Sequence, residues 1–254
     1  MTATVPPRSP ELVKDYLRAV GAERSWYRGV LPPHLFPHWA FPLLSKTLTD
    51  IPYDMTRVLN GGCRMEINAP LAADGPLHLR ANLEGIDDDG RRAVLHQRLI
   101  TGTDTEPDAL VCHMYSIVPL KRDKGGKKKE RPRVPTDARE VARWRLTPET
   151  AWTFAVLTGD FNPVHWVPPY ARAAGFKNTI LHGFATLALS IEALNRVRFA
   201  GDPTRLAVAD VKFTRPLVLP AKVALFLDGR GGLFVGDAPG GPAYLTGTQE
   251  TRDG

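Results

Sequence analysis

The same order of segments occurs twice along this chain of 254 residues: one helical segment, then about four strand-like segments. The strand-like segments lie near 56–68, 76–86, 92–102 and 109–120 in the first half, and at 205–213, 216–228, 231–237 and 242–250 in the second. Strands that follow a helix as a group, instead of alternating with helices, favour an α+β fold with an antiparallel sheet. The pattern therefore predicts two such units, whose sheets could join into one curved surface around two helices.

The helical segment of the second half is the clearer of the two. Its apolar residues keep the spacing of one buried helical stripe over 184–199, and Gly201 marks its end. The corresponding segment of the first half, at 36–48, contains Pro37 and Pro42. Because proline removes a backbone donor and clashes with the preceding turn, we expect this first helix to be interrupted and shorter.

A strongly basic stretch separates the halves. Residues 121–145 hold 11 Lys or Arg and 4 Asp or Glu, and the rest of the chain is nearly neutral. A basic stretch with Gly and Pro and without hydrophobic periodicity is typical of an exposed connector, although it could also attract nucleic acid or another polyanion. Trp144 is its one aromatic residue, so we favour a connector and expect no nucleic-acid partner. The predicted domains are 1–120 and 147–254, joined by a basic linker over 121–146.

Composition restricts the cellular setting. No apolar run approaches the ~18 residues that a membrane-spanning helix needs, and the N-terminal residues lack the pattern of a signal peptide. Cys63 and Cys112 are too few and too far apart for a disulfide framework or a CxxC site. The sequence therefore predicts a cytoplasmic protein with no membrane partner.

Two short helices are predicted on either side of a chemically unusual loop. One runs from Thr147-Pro148 to about Leu157 and stops at Gly159, and the other covers 168–174. The loop between them, Gly159-Asp160-Phe161-Asn162-Pro163-Val164-His165, combines residues that favour turns with a histidine that a turn does not require. An aspartate and a neutral histidine held near each other can share one water as general base and acid. We therefore interpret the loop as a catalytic site.

Motifs for other chemistries are missing from the sequence. It contains no GxSxG elbow, no HExxH or Cys/His cluster, no EF-hand loop, and no GxGxxG or Walker A loop. The remaining histidines, His34, His38, His78, His96 and His113, have no ligand spacing. We therefore expect neither a metal ion nor an organic cofactor.

These residues together resemble the MaoC-like, or type 2, enoyl-CoA hydratases, which have the hot-dog fold. The family signature fits Phe154, Leu157 and Thr158, continues through the loop to His165, and ends on Ala171. A second family block, Ile180-Leu181-His182-Gly183, opens the predicted helix, and 210–221 is similar to the segment that follows it. The resemblance is specific over 147–228 and implies a double hot-dog, two antiparallel sheets each wrapped around a helix, with a degenerate first repeat. Trp166 and Val167 stand where family members often have an acidic residue.

The resemblance also implies residue roles. The implied catalytic residues are Asp160, His165, Asn162 and Gly183, and the expected substrate or coenzyme A ligands are His182, Lys212 and Arg215. Asp160 and His165 would activate water, Asn162 would orient them, and the N–H of Gly183 would stabilise charge on the thioester oxygen. Lys212 and Arg215 are candidates because cations near the cavity mouth would hold phosphates, although both could be plain surface charge. His182 could equally be a packed residue at a helix start.

The predicted activity is (R)-specific hydration of trans-2-enoyl thioesters, or the reverse dehydration, as in fatty acid metabolism. The carrier is either coenzyme A or acyl carrier protein, and in two-repeat members the shortened first helix makes room for long acyl chains. The alternatives are a hot-dog thioesterase and a non-catalytic protein that binds acyl thioesters. A homodimer is possible, but a two-repeat chain could supply internally what single-repeat relatives obtain by dimerising.

Overall fold

A computed structural model describes residues 1–120 and 130–252 of the chain. Its α-helices are α1 (Pro10–Ala19), α2 (Pro37–Lys46), α3 (Pro148–Thr158), α4 (Pro168–Ala173) and α5 (Gly183–Val197). Its strands are β1 (Thr2–Val5), β2 (Val30–Leu31), β3 (Leu59–Ile67), β4 (Leu71–Ala72), β5 (Leu77–Asp88), β6 (Arg92–Gly102), β7 (Leu110–Pro119), β8 (Arg139–Leu146), β9 (Leu206–Phe213), β10 (Ala221–Leu227), β11 (Gly232–Gly236) and β12 (Ala243–Thr251). None of the helices in these ranges combines the length and apolar character that spanning a membrane requires.

Ten of these strands form one continuous sheet in the order β1-β5-β6-β7-β3-β9-β12-β11-β10-β8. Its paired strands are antiparallel, and β2 pairs with β4 in a separate ribbon. The two halves of the sheet are arranged alike from the outer edge to the centre. In that direction, β1, β5, β6, β7 and β3 of the first half correspond to β8, β10, β11, β12 and β9 of the second. The halves meet at β3 and β9, where Gly62 pairs with Lys212 and a Cβ on Gly62 would lie 2.6 Å from the Val211 carbonyl oxygen. The predicted α+β fold with two joined antiparallel sheets is confirmed.

Helix α5 forms the centre of the core. Twelve consecutive residues of α5, from Phe184 to Asn195, are buried, so this helix is enclosed on every side. Its Phe184 ring packs edge-on against Phe36, with ring centroids 5.1 Å apart, and also contacts Phe41 of α2. The two central helices of the halves therefore pack against each other inside one sheet.

Helix α2 is shorter than α5, as predicted, but Pro42 does not interrupt it. The helix has 10 residues against 15, and Pro42 lies inside it. Pro37 occupies its first turn, where no backbone donor is needed. The expected break at Pro42 was wrong because the helix is held from outside: Trp39 and Leu43 are buried, and this packing offsets the one hydrogen bond that Pro42 cannot make.

The predicted linker is wrong over its last eight residues. Arg139–Leu146 form β8, which pairs with β10 at the edge of the sheet. Ala142, Trp144 and Leu146 pack on the core while Arg143 and Arg145 face outward, so the strand has the usual period of two. The many arginines concealed this alternation, and charged residues are common on exposed edge strands. Residues 121–129 of the predicted linker lie outside the described residues.

A buried polar network ties α5 to the first half. The carboxylate of Glu192 lies 2.6 Å from Nε2 of His34 and accepts a hydrogen bond from the Tyr27 hydroxyl at 2.6 Å. Asn195 donates to both Tyr27 and Glu192, and the hydroxyl of Tyr16 donates to the main-chain oxygen of His34. The side chains of His34 and Glu192 are each 1% exposed, so water cannot replace these partners.

Replacing Glu192 with alanine is expected to destabilise the fold severely. The variant leaves the buried donors of His34 and Tyr27 without an acceptor, and losing one partner of a buried pair costs about 3–5 kcal/mol of unfolding free energy. Urea unfolding followed by circular dichroism measures this loss. Glu250→Ala, on an exposed position of β12, is the control and should change stability by less than about 0.5 kcal/mol. Equal stabilities of the two variants would contradict the role given to the network.

Candidate active site

A cavity of about 930 Å³ lies where the two halves of the sheet meet. The second half contributes Asp160, His165 and the start of α5 to its wall. The first half contributes Phe41 and Leu44 of α2, Leu48 just after that helix, and the beginning of β3. The volume is at the upper end of the range for small-molecule sites, and much of the lining is apolar. The cavity therefore suits a large ligand with an apolar part.

The conformation of the 159–165 loop places two titratable side chains in this cavity. Helix α3 ends on Gly159, which has a left-handed backbone (φ 76°) that glycine adopts without strain. The side-chain oxygen of Asn162 then accepts from the amide of Val164 at 3.3 Å and caps a short 3₁₀ helix that ends at His165. Asn162 thus fixes the turn between the two candidate catalytic residues.

The tautomer of His165 follows from one hydrogen bond. Nδ1 lies 2.8 Å from the main-chain oxygen of Ile180, and because a carbonyl can only accept, Nδ1 carries the proton in the neutral ring. Nε2 is then an unprotonated acceptor. Burial lowers the pKa of His165 below its ordinary value, and the nearby carboxylate of Asp160 opposes this shift. The neutral ring is therefore available as a base.

The carboxyl group of the half-buried Asp160 lies beside this imidazole, with a carboxylate oxygen within 4.8 Å of a ring nitrogen. Burial raises the pKa of Asp160 above its ordinary value, and His165 and the amide of Asn162 act in the opposite direction. A carboxylate with a raised pKa is a stronger base than a solvated aspartate. Asp160 and His165 therefore form a coupled pair that can take up and return one proton.

Gly183 is the first residue of α5 and also lines the cavity. The first N–H groups of a helix have no partner inside the helix, and the helix dipole adds partial positive charge there. A Cβ on Gly183 would lie 2.8 Å from the ring of Phe213, so the position admits only glycine without a shift of that ring. The amino end of α5 and the Asp160–His165 pair therefore line the same cavity.

The corresponding loop of the first half lacks both titratable groups. After α1, Gly21 repeats the left-handed backbone of Gly159 (φ 76° in each), and a 3₁₀ helix, Arg24–Tyr27, follows. Counting from the two glycines, Ala22 stands in the place of Asp160 and Tyr27 in the place of His165. Tyr27 belongs to the buried network with Glu192. The first repeat is therefore degenerate at this loop.

The structure does not place His182 where a substrate ligand would lie. His182 is 1% exposed and is not part of the cavity wall. Its Nε2 donates to the main-chain oxygen of Asp160 at 3.0 Å, and its ring stacks on that of His165. The predicted contact with substrate was wrong because the residue before a helix can point into the core behind the site.

Lys212 is also misplaced for a substrate ligand, whereas Arg215 is on the cavity wall. Val211 and Phe213 face the core and the cavity, so Lys212 between them projects from the opposite side of the sheet. Arg215 follows the strand, lines the cavity, and donates to the main-chain oxygens of Arg131 and Pro132 at 3.3 and 3.4 Å.

Two further arginines on the cavity wall were not predicted from the sequence. Arg92 begins β6, and Arg131 lies in the stretch that was interpreted as a connector. No sequence signal separates them from the chain's other basic residues, because only the fold brings these segments together.

One group of side chains in the described ranges has the composition of a metal site. Single ligand atoms of Asp160, His165 and His182 all lie within 4.8 Å of one another. The two imidazoles are stacked, with ring centroids 3.6 Å apart and 26° between their planes. Imidazole binds metals through in-plane lone pairs, and stacked rings direct these side by side instead of toward one point. The residues therefore fit an ion poorly.

Part of the chain matches the model of a known protein family. Residues 126–228, which include the loop, α5 and Arg215, match the family model of the MaoC-like domain. The chain contains a MaoC-like domain. The resemblance predicted from the 154–171 and 180–183 motifs is thereby confirmed, and the matched range covers most of the second half.

Relatives of this protein are known in several organisms. It is 29% identical over 176 residues to a protein named peroxisomal enoyl-CoA hydratase 2 from Arabidopsis thaliana, covering 63% of this chain and 56% of that one. It is 34% identical over 122 residues to a protein named 3-hydroxyacyl-thioester dehydratase X from Mycobacterium tuberculosis, covering 47% of this chain and 41% of the other. The matched stretches thus span about half the length of these two curated relatives.

A solved structure shows the same fold over nearly the whole chain. The crystal structure of HtdX from Mycobacterium tuberculosis superposes with a TM-score of 0.79 at 23% identity, covering 97% of this chain and 98% of that one. At this identity the likeness concerns the fold. It includes the first half, where the sequence resemblance was weak, so the MaoC-like domain is one half of a double hot-dog.

Proposed function

We propose that this protein hydrates trans-2-enoyl thioesters to (3R)-hydroxyacyl thioesters, or catalyses the reverse dehydration. The observation that carries the proposal is the pairing of a half-buried carboxylate, Asp160, with a neutral imidazole, His165, whose free nitrogen is Nε2. Both line one cavity with the amino end of α5. The names of the two curated relatives agree with this chemistry.

The proposed reaction uses one water and returns the enzyme to its starting state. The oxygen of a water held by Asp160 and His165 attacks C3 of the enoyl thioester, and the pair accepts a proton from that water. The electron pair of the C2–C3 double bond shifts toward the thioester carbonyl, where the N–H of Gly183 stabilises the developing oxyanion. The pair then gives a proton to C2, so that water has added across the double bond.

The equilibrium and the supply of substrate, not the site, decide the direction. A hot-dog thioesterase is less well supported, because it would need water aimed at the carbonyl carbon, whereas the acid–base pair suits addition of water to a double bond. A silent thioester-binding protein would have no use for a base with a free Nε2 beside the carboxylate of Asp160. A cytoplasmic location stays a prediction, and the Arabidopsis relative is named as peroxisomal.

The acyl chain is proposed to lie against α2. Phe41 and Leu44 of this helix, together with Leu48, Met55 and Val58 after it, give the first-half wall of the cavity an apolar surface. Because α2 ends at Lys46 after 10 residues, the cavity continues past its end. We therefore infer that long enoyl chains are accepted as well as crotonyl thioesters.

An absorbance assay tests the proposed function. Purified protein incubated with crotonyl-CoA and with longer trans-2-enoyl-CoAs should consume the enoyl absorbance, and chiral analysis should identify the 3R alcohol. Turnover should persist as the chain lengthens. Absence of turnover at every chain length would contradict the proposed function, and turnover of crotonyl-CoA alone would contradict the assignment of the acyl chain to the α2 wall.

Arg215→Ala is expected to weaken binding of the carrier's phosphates. Arg215 and Arg131 lie together on the cavity wall, and coenzyme A is polyanionic. The KM for crotonyl-CoA should rise about tenfold, the equivalent of one charge-assisted hydrogen bond, while the KM for crotonyl pantetheine, which lacks phosphates, should stay constant. Lys212→Ala, on the opposite side of the sheet, is the control and should leave both constants unchanged. Equal rises in KM for the two substrates would remove Arg215 from phosphate binding.

Gly183→Ala is expected to reduce turnover by moving the oxyanion donor. The added Cβ would lie 2.8 Å from the Phe213 ring, so the start of α5 or the ring must shift. Loss of one oxyanion donor lowers kcat by about 10²-fold or more. The double variant Gly183→Ala/Phe213→Leu, which restores space, should recover part of the loss. A single variant with wild-type kcat would show that the position of this N–H is unimportant.

A further inference from the structure

His182 contacts both proposed catalytic residues from behind the cavity wall. Its Nε2 donates to the main-chain oxygen of Asp160 at 3.0 Å. Its ring is stacked on the His165 imidazole, with centroids 3.6 Å apart and 26° between the planes. His182 is also the N-cap residue of α5 and therefore directly precedes Gly183. His182 therefore contacts the main chain of the 159–165 loop and the ring of His165, and it directly precedes the first residue of α5.

The hydrogen bond to Asp160 determines the tautomer of His182. Because a main-chain oxygen only accepts, Nε2 carries the proton and Nδ1 is left as an acceptor. Nδ1 is buried and finds no hydrogen-bond partner among the residues that the structure describes. Burial and the adjacent His165 hold the pKa of His182 well below its ordinary value, so the ring is neutral.

A neutral ring in this position suits a partner that gains charge. His165 accepts a proton during the proposed reaction and becomes a cation for part of the cycle. A cation stacked on the face of a neutral aromatic ring is attracted to it, whereas a second cation at 3.6 Å would be repelled. The stack therefore holds the His165 ring in place without opposing its protonation.

We propose that His182 is the positioning residue of this site: its hydrogen bond fixes the main chain of Asp160, and its ring fixes the plane of the His165 imidazole. Because His182 also directly precedes Gly183, these contacts keep a fixed distance between the Asp160–His165 pair and the N–H of Gly183. The inference rests on the proposed function, and it assigns to His182 a role other than contact with substrate.

Three substitutions separate the two contacts. His182→Gln keeps an N–H donor at the place of Nε2 for Asp160 but loses the stacked ring, His182→Phe keeps a stacked ring but loses the donor, and His182→Ala loses both. A misplacement of about 1 Å can cost 10²-fold in rate, so we expect kcat of the alanine variant to fall about 10²-fold, with KM changed less than about threefold. The glutamine and phenylalanine variants should each retain part of the lost kcat. His78→Asn, at a half-exposed histidine far along the sheet, is the control.

A second measurement does not depend on activity. In nuclear magnetic resonance spectra of the wild type, the Nδ1–H proton of His165 should be protected by its bond to the Ile180 oxygen. In His182→Ala this proton should exchange faster with solvent, and in His78→Asn it should not change. A wild-type protein that is inactive on enoyl thioesters would overturn the proposed function and leave this test intact.

The inference is overturned if His182→Ala keeps wild-type kcat and wild-type exchange at His165. Should the alanine variant fail to fold, the glutamine and phenylalanine variants decide, since each keeps one contact. Wild-type kcat in both of these would show that neither contact positions the site. A rise in KM without a fall in kcat would instead indicate that His182 acts on substrate binding.

Discussion

Asp160→Asn should lower kcat for hydration by about 10³-fold, within the range that removal of a general base produces. The amide has the shape of the carboxyl group but cannot accept a proton from the attacking water. The loss should appear in kcat and not in KM, because the substitution leaves the acyl and phosphate walls of the cavity unchanged. Steady-state kinetics with crotonyl-CoA measure it.

The same substitution should not reduce stability. Burial raises the pKa of Asp160 in the folded protein, which means that folding disfavours its ionised form at neutral pH. A neutral amide removes this penalty, so the unfolding free energy of Asp160→Asn should equal or exceed that of the wild type. Asp15→Asn, on the exposed side of α1, is the control for both measurements. A variant at position 160 with wild-type kcat would exclude this residue from the chemistry.

His165→Asn should cause a loss of similar size, about 10²- to 10⁴-fold in kcat. Asparagine places its amide nitrogen where Nδ1 lies and can still donate to the Ile180 oxygen, so the loop should stay in place while the base at Nε2 is gone. His113→Asn, on the other face of the sheet from the core, is the matched control. Near-normal turnover of the position 165 variant would mean that Asp160 acts without an imidazole partner.

The pH dependence of kcat/KM in the wild type should reflect the protonation of Asp160 and His165. Because burial lowers the pKa of His165, its neutral form persists to lower pH than that of a free histidine. kcat/KM should therefore hold at pH 6.5 and fall only below that value as the coupled Asp160–His165 pair takes up protons. A midpoint above pH 7 would contradict a base held neutral by burial.

Much of the second half could be predicted from the sequence because its boundaries are marked by local chemistry. Gly159 and Pro148 delimit α3, and the predicted helices at 168–174 and 184–199 agree with α4 and α5 within a few residues. The strand predicted over 216–228 begins later, at Ala221, since Pro216 and Pro220 cannot join a sheet ladder.

Two elements outside the recognised motifs were missed. Helix α1 was not predicted, although Ser9 accepts from the amide of Leu12 and Pro10 stands in the first turn, which is a recognisable N-cap signature. Strand β8 was concealed by its arginines. In both cases the stabilising contacts come from distant segments, since α1 packs against α3 and β8 pairs with β10.

The features of the candidate site were likewise predicted only in part. The convergence of Asp160 and His165 follows from a loop of seven residues, so a local motif was enough to predict it. The contacts of His182 and the presence of Arg92 and Arg131 on the cavity wall depend on segments that meet only in the folded chain. For Lys212 the alternation with Val211 and Phe213 already indicated the opposite face, and that signal could have been used.

The most direct test of the account follows one oxygen atom. The enzyme should be incubated with crotonyl-CoA in water enriched in oxygen-18, and the products should be analysed by mass spectrometry. The account predicts a hydroxyacyl-CoA that carries the label in its C3 hydroxyl group, with the thioester intact. Label in a free carboxylate, with release of coenzyme A, would contradict the proposed hydration and indicate a thioesterase instead.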